Sequence, residues 1–329
     1  MQLSFWLPVW RACNGVLSLA LDAAAVLPLM LGLCLLLARS AKGSFLAKPA
    51  RLYRTLGLGC MVMGLGLIAA RTAVDLRFIP MSMDRLVPPP FQPFSGPWLG
   101  CTTTFLLFLA AAALLWLDGP LMQPVFQSQA RGEAGQKRIR LRADLAAAAA
   151  YAAFFCCFAS IVSRNWPFMG LPEGMTQQRA FEVLLSHAWR TSCASLMPAG
   201  AIAVLALQLQ LARAPESAEE REARRRKKRA EDKTAPLLPQ EEAQCARMGL
   251  AFALSGAVFQ FLDAGFVAFS YSASMGAGLK SALAQYTPIC VTGLSLACWG
   301  MLFARPRRHA VLLALLPFLL MLFQAGLRV

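Results

Sequence analysis

Apolar residues in this chain come in long blocks rather than as one-sided stripes. Stretches of about 20 residues or more recur at approximately 14–39, 55–75, 97–118, 142–163, 182–212, 247–270, 281–304 and 309–327. Each can cross roughly 30 Å of hydrocarbon at about 1.5 Å of helical rise per residue. The fifth, at about 30 residues, has to tilt or run beyond the bilayer. The last is parted from the seventh only by Arg305–His309, which predicts a tight antiparallel pair. The pattern predicts an all-α polytopic integral membrane protein of about eight transmembrane helices. Asp22 interrupts the first apolar run, and that run is too long for the core of a secretory signal, so the first span is expected to stay.

Composition agrees with the pattern: 57% of residues are hydrophobic, 15% are charged, and the mean hydropathy is +0.53. Basic residues then orient the helices. The loops after spans one, three, five and seven, with their flanks, hold 23 of the 32 Lys and Arg residues, which predicts that these loops are cytoplasmic and both termini lie on the outer, periplasmic face of the inner membrane. The net charge of +15 is thereby read as topology, with contact to membrane lipid and no nucleic-acid partner. The chain divides into a five-helix membrane part over 1–213, a basic cytoplasmic linker over 214–246, and a three-helix membrane part over 247–329. The linker carries the run Arg224–Arg229 and is rich in Glu, Lys and Pro.

Two histidines are all the sequence has, His187 near the outer face and His309 near the inner one, so paired imidazoles cannot grip a haem at one depth. Cys-x-x-Cys-His is absent, and the ten cysteines show no metal-site spacing. Most lie inside apolar spans, where cysteine packs as a small residue. No haem and no metal are expected in this chain.

Polar side chains at membrane depth fall on one side. Asp22 on helix one, Arg71 and Asp75 at i and i+4 on helix two, His187 and Arg190 on helix five, Gln260 and Asp263 on helix six, and Tyr286 on helix seven all belong to the outer half. Gln324 stands near the outer end of helix eight. The inner halves look almost free of ionisable groups, with Leu29–Leu37, Phe105–Trp116 and Ile202–Leu207 nearly pure hydrocarbon. Intramembrane charges are costly unless paired or wetted, so this one-sidedness predicts an outward-facing polar pocket and argues against a channel or alternating-access carrier.

Such a pocket suits a quinone headgroup, either menaquinone or ubiquinone, as an exchangeable substrate. Ring carbonyls need donors, here His187, Arg190 and Tyr286, while Asp22 and Asp263 serve as proton acceptors, with His187 a further acid–base group. Arg71, Asp75 and Gln260 complete the lining. Without a haem, electrons must pass directly to a partner docked outside. The stretch Arg77–Trp98, with six prolines among Phe78, Phe91, Phe94 and Trp98, and the stretch Arg164–Arg179 offer docking loops.

Eight helices with both ends outside and no haem ligands resemble the membrane anchor of dimethyl sulfoxide reductase and its wider polysulfide-reductase-type anchor relatives. The local likeness is Met63-Gly64-Leu65-Gly66-Leu67-Ile68-Ala69, leading into a polar outer end. The resemblance implies a subunit of a respiratory oxidoreductase hetero-oligomer that exchanges electrons with an iron–sulfur or multihaem partner. That family places a histidine where this chain has Ala73, and an acidic residue where it has Thr102–Thr104, so neither family residue transfers. Two other classes stay open: a non-catalytic structural or assembly subunit, and a small-solute transporter. An intramembrane aspartyl protease would need Asp22 and Asp263 to face each other, and neither lies in a Gly-x-Gly-Asp motif.

Overall fold

A computed structural model describes residues 3–38, 47–82, 96–122, 133–165, 174–212, 239–271, 279–304 and 310–327. Among these residues the chain is entirely α-helical apart from the turn that precedes the fifth helix. The helices are α1 (Leu3–Ala38), α2 (Ala47–Ser82), α3 (Gly96–Met122), α4 (Glu133–Asn165), α5 (Gln177–Ala212), α6 (Pro239–Tyr271), α7 (Leu279–Ala304) and α8 (Ala310–Leu327). Five carry segments long and apolar enough to cross a membrane: Leu19–Leu37, Ala50–Ala69, Thr102–Gly119, Arg140–Ser163 and Gln177–Leu209. Shorter apolar segments, Ala246–Leu262, Tyr286–Leu302 and Ala310–Gln324, lie in α6, α7 and α8. The first turn of α6, from Pro239, falls inside the stretch read from sequence as linker.

The start of α5 is set locally. Gly174 takes a φ of 77°, the left-handed region that glycine tolerates, and turns the chain into Thr176. The Thr176 hydroxyl then accepts a hydrogen bond from the Arg179 amide at 3.3 Å, and the Thr176 carbonyl accepts one from Ala180 at 3.0 Å, which together cap the helix.

At the centre of the bundle runs α1, which packs against α2, α4, α5 and α8. Its side chains explain the position. Ala23, Ala24, Ala25, Val26, Leu27, Met30, Leu31, Cys34 and Leu35 are at most 1% exposed, so α1 meets neighbours on all sides and fills the axis. One core gathers α1 to α5, and a second gathers α5 to α8 together with Leu19. The two meet along α5, which gives Ala188, Ala199 and Ala203 to the first and Met197, Ala201 and Val204 to the second.

Small residues set the closest crossing. A Cβ added at Gly256 of α6 would strike the Met197 backbone of α5, and one at Gly200 would strike the Ala253 backbone. The two helices therefore touch main chain to main chain, antiparallel, in the manner of small-residue contacts between lipid-embedded helices.

Candidate functional site

Cross-helix contacts fix the depth of each polar side chain. Cys34 of α1 meets Met248 of α6, sulfur to sulfur, at 3.7 Å. Asp22 and Gln260 each stand twelve residues from those partners, in the same direction along the bundle, so they share a level. The α5–α6 crossing, with Gly256 against Met197, places Gln260 level with the turn at Ser192 and Cys193. On α4, the Cys157 thiol donates to the Ala24 carbonyl at 3.8 Å, which brings Ser160 close to the same level. Pro28 explains that contact: it has no amide hydrogen, so the Ala24 carbonyl lacks its helical donor and takes the thiol instead.

The result is a polar layer drawn from five helices: Asp22 of α1, Ser160 of α4, Ser192 of α5, Gln260 of α6 and Gln324 of α8. Asp22 is half-buried. Gln260 donates its amide nitrogen to the Gln324 carbonyl oxygen at 3.0 Å, joining α6 to α8. Ser160 is buried and satisfied within its own helix, donating to the Cys157 carbonyl at 2.6 Å. Two buried atoms in the layer, Ser192 Oγ and Gln324 Nε2, find no hydrogen-bond partner among the described residues. Beyond Asp22 the axis is closed by the apolar run of α1, so the layer has hydrocarbon on its far side.

The residues expected to form the pocket distribute unevenly over this layer. Asp22 and Gln260 belong to it. His187 and Arg190 are exposed on α5, on the side of Ser192 toward the start of that helix, and Tyr286 is 58% exposed on α7. The side chains of Arg71, Asp75 and Asp263 lie outside the described residues, as do the loop residues 83–95 and 166–173 and the linker residues 213–238. Ser192 and Ser160 were not singled out by sequence reasoning; serine inside an apolar span reads as packing until a neighbour fixes its depth. No three His, Cys, Asp or Glu side chains gather as a metal site among the described residues.

The opposite end of the bundle departs from expectation. The stretch Phe105–Trp116 is hydrocarbon as its sequence implies, but two residues beyond it Asp118 of α3 is fully buried, with Arg54 of α2 beside it. Arg54 reaches across to α3, its Nε donating to the Leu115 carbonyl at 2.8 Å and a terminal nitrogen to the Trp116 carbonyl at 3.1 Å. Pro120 is the cause, since it lacks the amide hydrogen that the Trp116 carbonyl would otherwise receive. The signal was present in sequence as a proline four residues after Trp116, but not the helix that would answer it.

No family model matches the sequence, and no curated protein or solved structure matches it.

Proposed function

We propose that this chain is the haem-free membrane-anchor subunit of a respiratory oxidoreductase in the inner membrane, crossing it eight times with both termini outside. It binds a quinone or quinol headgroup at the layer around Asp22 and exchanges electrons with an iron–sulfur or multihaem partner docked on the outer face. The observation that carries this reading is Gln324: it is 4% exposed, its carbonyl oxygen is held by Gln260, and its amide nitrogen is left as a buried donor with no acceptor among the described residues. Leaving such a donor unpaired costs about 1–3 kcal/mol, and a ring carbonyl is an acceptor that removes the cost. Ser192 Oγ offers a second such group, a buried hydroxyl, at the same level.

Oxidation of the quinol releases two electrons and two protons. The electrons leave to the partner, and the carboxylate of Asp22 is the acid–base group of the layer that can take a proton. The packed axis of α1 beyond Asp22 favours this one-sided site over a solute pathway through the bundle. Domain organisation follows from the same reading, with residues 214–246 connecting the five-helix and three-helix parts on the cytoplasmic side.

The test is purification of the tagged chain in mild detergent with mass spectrometry of every co-purifying protein, followed by quinol oxidation by the complex. An iron–sulfur or multihaem partner is expected. Asp22→Asn is expected to lower kcat by about 10²-fold or more with the complex intact, and Gln324→Leu to raise KM for quinol roughly tenfold. Unchanged turnover in both variants would reduce the chain to a structural subunit of whatever complex it purifies with.

A further inference from the structure

The buried face of α3 is Thr104, Phe108, Ala111, Leu115 and Asp118, at alternating spacings of four and three residues. Asp118 ends an apolar stripe, is 0% exposed, and neither carboxyl oxygen receives a hydrogen bond among the described residues. An intramembrane acid in this condition calls for a specific partner. We propose that Asp118 is a proton-binding site at the end of the bundle opposite Asp22, exchanging its proton with the cytoplasm.

The groups around it decide the matter. Among the described residues, α2 and α4 make the main packing on α3. From α2 come Arg51, which is exposed, and Arg54; from α4 come Arg140 and Arg142, both exposed, and Asp144, which is half-buried. Arg54 is the cation whose field reaches Asp118, but its Nε and one terminal nitrogen are committed to the Leu115 and Trp116 carbonyls. A buried carboxylate without donors is the costly form, and none reaches Asp118 from the described residues, so in this arrangement the proton is the ligand Asp118 holds. Once the proton leaves, the bare carboxylate competes with the Leu115 and Trp116 carbonyls for the Arg54 guanidinium. Gly119 makes the present position possible, because a Cβ there would strike the guanidinium. Proton occupancy of Asp118 and the grip of Arg54 on α3 are thus two sides of one equilibrium. This inference does not rest on the quinone reading, since it uses other residues at the other end.

The probe is dicyclohexylcarbodiimide, applied to the full chain in detergent. It reacts with a protonated carboxyl: the O–H adds across one C=N bond, oxygen to carbon and hydrogen to nitrogen, with no leaving group. Peptide mass spectrometry is expected to find the adduct on Asp118 under acid conditions, with a yield that falls roughly tenfold per pH unit once the carboxyl ionises. Asp118→Asn is expected to lose that adduct while keeping the parent's thermal stability, because the amide copies the shape and neutrality of the protonated acid. Arg54→Gln is expected to move the pH at which labelling falls. No adduct at Asp118 at any pH while other carboxyls of the chain react, a pH-independent yield, an unmoved profile in Arg54→Gln, or a severely destabilised Asp118→Asn would each overturn the proposal.

Discussion

Pro28 and Pro120 each remove an amide hydrogen that a helical carbonyl four residues earlier would otherwise receive. In both cases a side chain from a neighbouring helix answers, Cys157 at the Ala24 carbonyl and Arg54 at the Trp116 carbonyl. The two answers differ in strength. A thiol is a weak donor, whereas a guanidinium bond is charge-assisted. Arg54→Met is therefore expected to cost about 2 kcal/mol, read as a lower unfolding temperature of the detergent-solubilised chain. Pro120→Ala restores the missing amide, so the double variant should recover part of that loss. The recovery is partial because the Leu115 carbonyl still loses its contact with Arg54 Nε, although the Gly119 amide remains available to it. Additive losses in the double-variant cycle would mean that Arg54 holds α3 through something other than the proline-freed carbonyl.

Between lipid-embedded helices the hydrophobic effect gives little drive, so association depends on close van der Waals contact and on polar bonds. The α5–α6 crossing shows what that requires. Gly256→Ala and Gly200→Ala should each cost about 1–3 kcal/mol by forcing the helices apart, since the atoms in the way are backbone. Gly59→Ala and Gly66→Ala of α2 meet nothing within 4 Å, so they should be neutral or gain up to about 1 kcal/mol of helix propensity. Thermal unfolding of the four variants separates the two classes. A loss at Gly66 would instead indicate a partner seated on that face of α2.

The same contrast explains how much could be read from sequence. Length and hydropathy locate the helices, because crossing hydrocarbon demands about 20 apolar residues whatever lies beside them. They do not say which face of a helix is covered. Asp118 stands at the end of an apolar block, where a charge is cheap if the helix faces outward, so its burial was invisible until α2 and α4 were in place. Counting along the helices puts Gln260 and Asp22 toward one end of the bundle, but their common level with Ser192 and Gln324 depends on contacts such as Cys34 with Met248. The central place of α1 had a fainter signal: Ala23–Ala25 make a smooth surface that suits neighbours on every side.

At the scale of the whole molecule, orientation decides what both polar sites mean. The exposed arginines Arg51, Arg140, Arg142 and Arg247 stand on α2, α4 and α6, each near the end at which its helix begins. Successive helices alternate in direction, so these ends belong to one face, shared with Asp118 and opposite the layer of Asp22. In the proposed orientation, which follows the positive-inside rule, that face is the cytoplasmic one. Alkaline phosphatase fused after Leu327 should then be active, and green fluorescent protein inserted within 214–238 should fluoresce. The reverse pattern would turn the bundle over: the Gln324 layer would open to the cytoplasm, the proposed quinol oxidation would release its protons inward, and the proposed exchange at Asp118 would be with the outer face. The chemistry at each layer would be unchanged, because it follows from burial and hydrogen bonding within the bundle. What would reverse is the side of the proposed partner and the direction of the proposed proton steps, so the fusion result fixes the sign of both proposals.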